Sequence, residues 1–362
     1  MGEDVYRALA FASVGRTPLL PRLTDLCSAH PTANNEYPHI CLFLSPSIQN
    51  LKFMIGGQTY FTVNARSSLL PPLVSACPNL THLSLFAMES LPWNDILFAI
   101  SAISHWSSLR HLAAHFPAVW DPQLIEYENS MENPSMPVIG FTKLEHLDII
   151  STFEFSIKLF HCMSQAHLQT LRVESSNDLE THQWSELFKA VQQGISCSSL
   201  QHIHISRNHE NIISASITFE ALSPLLTLTC LTQVIIINHG FDLDDENLQI
   251  MASAWTCLQA LVLITLNPRH SQPRITINGL VSLVQHCPSL VDLTIAFDAS
   301  QAYLRAEGGA RNERIHTLGV SHSPIGEPVT WTRLLLSCRI CSQICASLMY
   351  ANVGPKVDSW IT

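Results

Sequence analysis

The sequence predicts an α/β solenoid, in which short parallel strands stack into one sheet with helices along its outer side. Three observations carry that expectation. A phrase of leucine, two variable residues, leucine, one variable residue and a further apolar residue recurs along the chain. Examples are NLTHLSL at Leu80, Leu83 and Leu85, KLEHLDI at Leu144, Leu147 and Ile149, and SLVDLTI at Leu290, Leu293 and Ile295. The phrases return every few tens of residues, which is the signature of a repeat array and not of one closed core. Between them lie apolar residues spaced as on one face of a helix.

Taking the first leucine of each phrase as an anchor gives Leu51, Leu80, Leu109, Leu144, Leu168, Leu200, Leu231, Leu258, Leu290 and, in degenerate form, Ile315. The intervals run from 24 residues (168 − 144) to 35 (144 − 109). Each phrase predicts a strand, because alternate residues are apolar. The connections predict helices. Trp184, Leu187, Phe188 and Val191 share one helical face, and so do Leu280, Leu283, Val284 and Cys287. Asp244 and Asp245 stand where an N-cap belongs, ahead of Leu248, Met251 and Ala252, with Trp255 one turn on. The unit is therefore strand, loop, helix, loop, strand, and the array reads as leucine-rich repeats. Such repeats span roughly 20–29 residues, so these are long members with room for a full helix. No unit buries its apolar face alone, so neighbours must stack into a horseshoe with a parallel concave sheet and outer helices. The leucines then point inward, and the residues between them point outward onto the concave face.

Residues 1 to 45 read as a linker and N-terminal cap, 46 to 320 as the solenoid and 321 to 362 as a divergent C-terminal tail. The segment from Asp121 to Pro137, within the longest interval, reads as a projecting loop.

A chain of 362 residues exceeds the usual single-core domain, but a solenoid grows by addition. Charged residues make up 13% of it, about half the usual ~25%, which points to partner-covered or missing surface. The net charge of −10 and the lack of any basic run argue against nucleic acid as a ligand. No apolar run approaches the roughly 20 residues of a membrane helix. The stretch ALAFASVG after Arg7 is too short and weakly apolar for a secretory signal, so an intracellular, cytoplasmic or nuclear protein is expected. The 11 cysteines agree, being odd in number and placed at repeat-equivalent positions. Cys77, Cys197 and Cys287 lie three residues before an anchor, and Cys230 and Cys257 immediately before one. A small buried apolar slot is the simplest reading, with disulfides the alternative.

The turns CPNL at Cys77 and CPSL at Cys287, with the long irregular repeats, resemble the repeat region of F-box proteins with leucine-rich repeats. More narrowly, VYRALAF from Val5, LLPRLTDL from Leu19, LFLSPSIQNL from Leu42, ITFEALSPLL from Ile217 and RITINGLVSLVQHCPSL from Arg274 resemble a large group of such proteins from mushroom-forming fungi. The likeness runs over roughly residues 5 to 325. It implies a substrate-recognition subunit of an SCF-type ubiquitin ligase, whose repeats hold an unknown protein substrate. Contact with the SCF adaptor and cullin would require an F-box upstream, since no F-box pattern stands in this sequence. The alternatives are a stand-alone repeat scaffold and a non-functional truncated gene copy without ligase docking. The stretch after Ser323 departs from a regular repeat. A retained intron or shifted splice site would produce such a tail, and so would an ordinary divergent cap.

The candidate protein-binding face consists of outward positions of the strand phrases. Its third positions hold His82, His111, His146, His202, Gln233 and Asp292, and its fifth positions Asp148, His204 and Ile235. Neighbouring strands lie about 4.8 Å apart, so His82, His111 and His146 would form a ladder of imidazoles if their repeats stack in register. Three readings stay open: tolerated exposed strand residues, a pH-sensitive binding face, or a metal site. Farther along, Gln233 and Ile235, then Ala260 and Val262, make an apolar patch unless a loop covers them.

No enzyme is expected. The sequence has no G-x-S-x-G elbow, no phosphate loop and no complete H-E-x-x-H, although His209 and Glu210 begin one. DLDDEN from Asp242 fails as a calcium loop at Asn247 and Ser253, where Gly and Glu are needed. Cys338, Cys341 and Cys345 have zinc-like spacing but no second pair, so a cysteine-bearing helix face is the simpler reading. Asn79, Leu80 and Thr81 form a sequon whose middle residue is a buried anchor. No cofactor or metal is expected.

Overall fold

The computed structural model of the chain describes residues 18–28, 42–55, 75–87, 93–116, 138–175, 181–207, 216–238, 240–265, 273–298, 312–320 and 323. These residues form an α/β structure with helices and a large parallel sheet of 11 strands. The chain groups into two compact units.

The first unit comprises Met1–Leu179, Glu186–Leu200 and Arg207–Glu210. Its strands are β1 (Asp25–Ser28), β2 (Asn50–Ile55), β3 (His82–Ala87), β4 (His111–His115), β5 (His146–Ser151) and β6 (Thr170–Ser175), each paired in parallel with the next. The alternation of leucine and polar residue is the cause of the strand burial pattern. Leu83, Leu112, Leu147 and Leu171 align in register on the buried side, while His82, His111, His146 and Thr170 align on the other. Each strand enters on a shared carbonyl that fixes this register. Thr81 and His82 donate their N–H groups to the Gln49 carbonyl, Arg110 and His111 to Thr81, and Glu145 and His146 to Arg110.

Helix α1 (Trp93–Ile103) buries Ile96, Leu97, Ile100 and Ile103, an i, i+1, i+4, i+7 stripe. Helix α2 (Phe153–Cys162) begins at Thr152, whose hydroxyl accepts from Phe155 N–H at 3.1 Å, and ends where Met163 turns extended. Its Phe155 ring meets Phe116 edge to face at 5.8 Å. Helix α3 (Thr181–Gly194), which belongs to this unit from Glu186 onward, carries the expected stripe, with Trp184, Leu187, Phe188 and Val191 all buried.

One anchor is corrected. Leu51 pairs with Leu83, not with Leu80, so it is the second apolar position of its phrase. The anchor is Ile48, fully buried and three residues earlier; isoleucine fills the slot as well as leucine, and a search for leucine alone slips past it.

The second unit comprises Glu180–Ser185, Gln201–Ser206 and Asn211–Thr362. It contains β7 (His202–Arg207) as far as Ser206, the short β8 (Ile217–Thr218), helix α4 (Phe219–Leu222) running into a 3-10 turn at Ser223–Thr227, and β9 (Gln233–Asn238). These are followed by β10 (Phe241–Asp242), helix α5 (Asp245–Ala254), β11 (Ala260–Thr265), helix α6 (Ile277–His286), β12 (Asp292–Thr294) and β13 (Thr317–Gly319). Strands β7, β9, β11, β12 and β13 follow one another in parallel, and β8 pairs with β10 in a separate two-stranded sheet. Anchors Leu231, Leu258, Leu290 and Ile315 are fully buried.

The acidic run is a helix start, as expected. Asp244 caps α5 by accepting from Asn247 N–H at 3.0 Å, and the Asn247 side chain accepts from Asp244 N–H at 3.1 Å. Asp245 accepts from both the N–H and the hydroxyl of Thr276, each at 2.6 Å, tying the start of α5 to that of α6. Gly279 leaves room there, because a Cβ would stand 2.6 Å from the Asp245 carboxylate and push on this joint. Trp255 donates its indole N–H to the Leu225 carbonyl at 3.2 Å.

The cysteine slot holds only in part. Cys77 and Cys287 are fully buried, and their carbonyls accept from the anchor N–H groups of Leu80 and Leu290. Cys197 and Cys230 are half-buried and Cys257 is exposed. The residue before an anchor sits in the turn entering the strand, opposite in direction to the buried leucine, so Cys257 points to solvent. All seven described cysteines are free thiols.

Among the described residues no helix is long and apolar enough to cross a membrane. Val5 to Phe11, the Asp121 to Pro137 segment, His209, Glu210, Cys338, Cys341 and Cys345 lie outside the described residues.

Candidate functional site

In the first unit the strand register brings His82, His111 and His146 together. Their rings stack face to face, with centroids 4.1 Å apart in both steps and planes 8° and 4° from parallel. The row continues to Asn50 on one side and Thr170 on the other. His82 is exposed, whereas His111 and His146 are half-buried. The Thr81 hydroxyl and His82 Nδ1 share a hydrogen bond at 2.9 Å. Partial burial, followed by the charges of His146 and His82, pulls the His111 imidazole down to about 4; Glu145 opposes the shift and Arg110 adds to it. Glu145 is itself held by Arg110 at 2.6 Å.

The next outward row holds Lys52, Ser84, Ala113, Asp148 and Arg172. Arg172 lies 4.0 Å from Asp148 and 2.9 Å from Glu174, which anchors one end of the row in ion pairs. At the other end the Lys52 ammonium sits over the Phe86 ring, 4.8 Å from its centre. Phe86 meets His115 edge to face at 4.3 Å. Burial holds the His115 imidazole below its ordinary range; Asp148 counters, and Arg172 adds to the lowering. Ser84 and Ala113 are the short side chains of this row and leave it lowest in its middle.

Beside the stack, Asp25, Cys27, Asn50, Lys52, His82 and Ser84 line an open hollow of about 220 Å³. Asp25 accepts from the Thr24 hydroxyl and from the Asn50 amide, bonds that hold its carboxyl below the usual carboxylate range.

In the second unit the register aligns His202 with Gln233 and His204 with Ile235; Asp292 stands two strands from Gln233, across Ala260. The apolar patch is narrower at Ala260, which is 7% exposed, since a methyl group between longer neighbours is easily covered. Ile235 and Val262 are half-buried, as are Ile237 and Ile264 one step farther along the same strands.

Among the described residues no group of three or more His, Cys, Asp or Glu side chains converges as metal ligands. Rings stacked in parallel direct their nitrogens side by side and not to one point. This face of the first unit presents aromatic edges, the Lys52 ammonium, paired carboxylates and a shallow floor.

Sequence reasoning missed Lys52, Phe86, His115, Arg172 and Glu174 on this face. The displaced anchor at Leu51 concealed Lys52, whereas Ile48-x-x-Leu51-x-Phe53 would have placed it at the fifth position. No family model and no curated protein matches the chain.

Proposed function

We propose that this chain is a protein-interaction module of leucine-rich-repeat type, whose outward strand rows receive a partner protein. The observation that supports it most is the uninterrupted register of β2 to β6, which sets one outward side chain per strand in straight rows. In this reading the strand and helix units make up a solenoid, the outward rows are its concave face, and the protein works inside the cell. The resemblance to fungal F-box proteins supports a partner that is a substrate presented to an SCF-type ligase, with adaptor and cullin joined only if an F-box stands upstream. A free-standing scaffold uses the same rows and differs only in the fate of the partner.

The test is paired capture. The full chain is compared with Ser84→Arg and Ala113→Glu on the face and with His161→Ala on an exposed helix position. A partner kept by the chain and by His161→Ala but lost by both face variants supports the module. Equal capture by all four proteins overturns it. The partner's half-life in cells with and without the chain then separates the ligase reading from the scaffold, since only a ligase receptor shortens it.

A further inference from the structure

The imidazole stack has a charge logic of its own. Its three rings lie on successive strands, so the outer two are about 8 Å apart, twice the 4.1 Å step. Coulomb repulsion falls with distance, so protons on adjacent rings repel about twice as strongly as protons on the outer pair. Two protons on the stack therefore repel least with His111 neutral between them. His111, pulled down to about 4 first by burial and then by the charges of His146 and His82, is the ring that stays neutral.

The charged groups around the stack come from every neighbouring strand. They are Asp25 from β1, Lys52 from β2, Arg110 and His115 at β4, Glu145 and Asp148 at β5, and Arg172 and Glu174 from β6. With neutral imidazoles this face carries three cations against four carboxylates. One proton on each outer ring reverses the sign. Arg110 and Arg172 are already paired with carboxylates, whereas Lys52 has none among the described residues and faces the hollow beside His82.

We infer that the stack is a docking rail for an acidic, extended segment of the partner protein, whose arrival draws protons onto the two outer rings. The inference rests on the protein-binding reading and supplies the partner's chemistry. In an extended chain, side chains on one side recur about every 6.8 Å, close to the separation of the outer rings. Two acidic residues separated by one other therefore reach His82 and His146 through their ring edges, and a further carboxylate reaches Lys52. Binding that takes up protons strengthens as pH falls, until the partner's own carboxylates protonate near pH ~4.

The probe is a short peptide of alternating Glu and Ser, titrated against the full chain by fluorescence anisotropy between about pH 7.5 and 5.5. Calorimetry in buffers of different ionisation enthalpy counts the protons. The expected result is a rise in affinity of about tenfold or more on acidification, with net proton uptake. His82→Gln with His146→Gln abolishes the rise, whereas His111→Gln, which keeps both outer rings, retains it. A flat profile, a rise that survives the double substitution, or tighter binding of a Lys and Ser peptide overturns the rail. Thermal melts of each variant establish that it is folded. The captured partner is measured at the same pH values. Face-dependent capture that ignores pH sinks the rail and leaves the module standing, while capture indifferent to the face sinks the module.

Discussion

His111 lies ring to ring against His146, 4.1 Å between centroids and 4° from parallel, and the contact exists because β4 and β5 align these two residues in register. Its partial burial first, and then the charges of His146 and His82, make this ring resist a proton, and that makes it a source of acid sensitivity. The folded protein holds His111 near 4, below the ~6.5 of an unfolded chain, so the unfolded state binds more protons between those values. The stability from the neutral ring is complete above about pH 6.5 and drains away as pH falls toward about 4. Because the ring is only partly shielded, the loss is on the order of 1 kcal/mol after solvent screening. Urea unfolding at several pH values should show a shallower acid loss in His111→Gln than in the parent. Identical slopes would refute this account of the stack.

Gly194→Ala should destabilise the protein although alanine favours helices. A Cβ at the end of α3 would be driven against the Phe160 carbonyl, which is backbone at the end of α2 and cannot swing aside. Overpacking of this kind costs about 1–3 kcal/mol, against a propensity gain of about 1. A midpoint that rises in denaturant would show that the approach is looser than the structure has it.

The two neighbouring aspartates of α5 should separate in effect. Asp244→Ala removes an N-cap and costs about 1 kcal/mol. Asp245→Ala costs more, about 1.5–3 kcal/mol, because a charged acceptor of two Thr276 hydrogens is lost at a part-buried joint. Chemical unfolding of both variants checks the order, and the reverse order would place the joint's strength elsewhere.

Thiol labelling should sort the cysteines by depth. Exposed Cys27 and Cys257 should modify within the first phase of a site-resolved alkylation experiment. Cys77 and Cys287 should wait for unfolding; burial pushes the Cys287 thiol up to about 11, and its Sγ is 3.5 Å from the Trp255 carbonyl. Early labelling of Cys287 would contradict the packing of α5 against the turn before β12.

Much of the strand framework was legible because the phrase is written in full at Leu80, Leu144 and Leu290. Helix α5 was legible through its cap, and α3 and α6 through their stripes. What stayed hidden was short or substituted. The pairings of Ile217–Thr218 with Phe241–Asp242, and bridges such as Ala166 with Ile195, are too brief to leave a period in the sequence. Ile48 escaped because the anchor slot asks for apolar volume, not for leucine. The imidazole ladder was anticipated from spacing alone, yet the ion pairs of Arg172 and the Phe86 contact of Lys52 were not. Those depend on side-chain reach across strands, which the alternation of a phrase does not encode.

From β4 to β5 the chain takes 35 residues between anchors and from β5 to β6 only 24, yet His111, His146 and Thr170 stay level. The length of a connection is thus uncoupled from the pitch of the rows. Like type set in a fixed forme, any one character of the face can be exchanged, or a margin widened, without shifting the line, and letters that the gene keeps dozens of codons apart stand side by side.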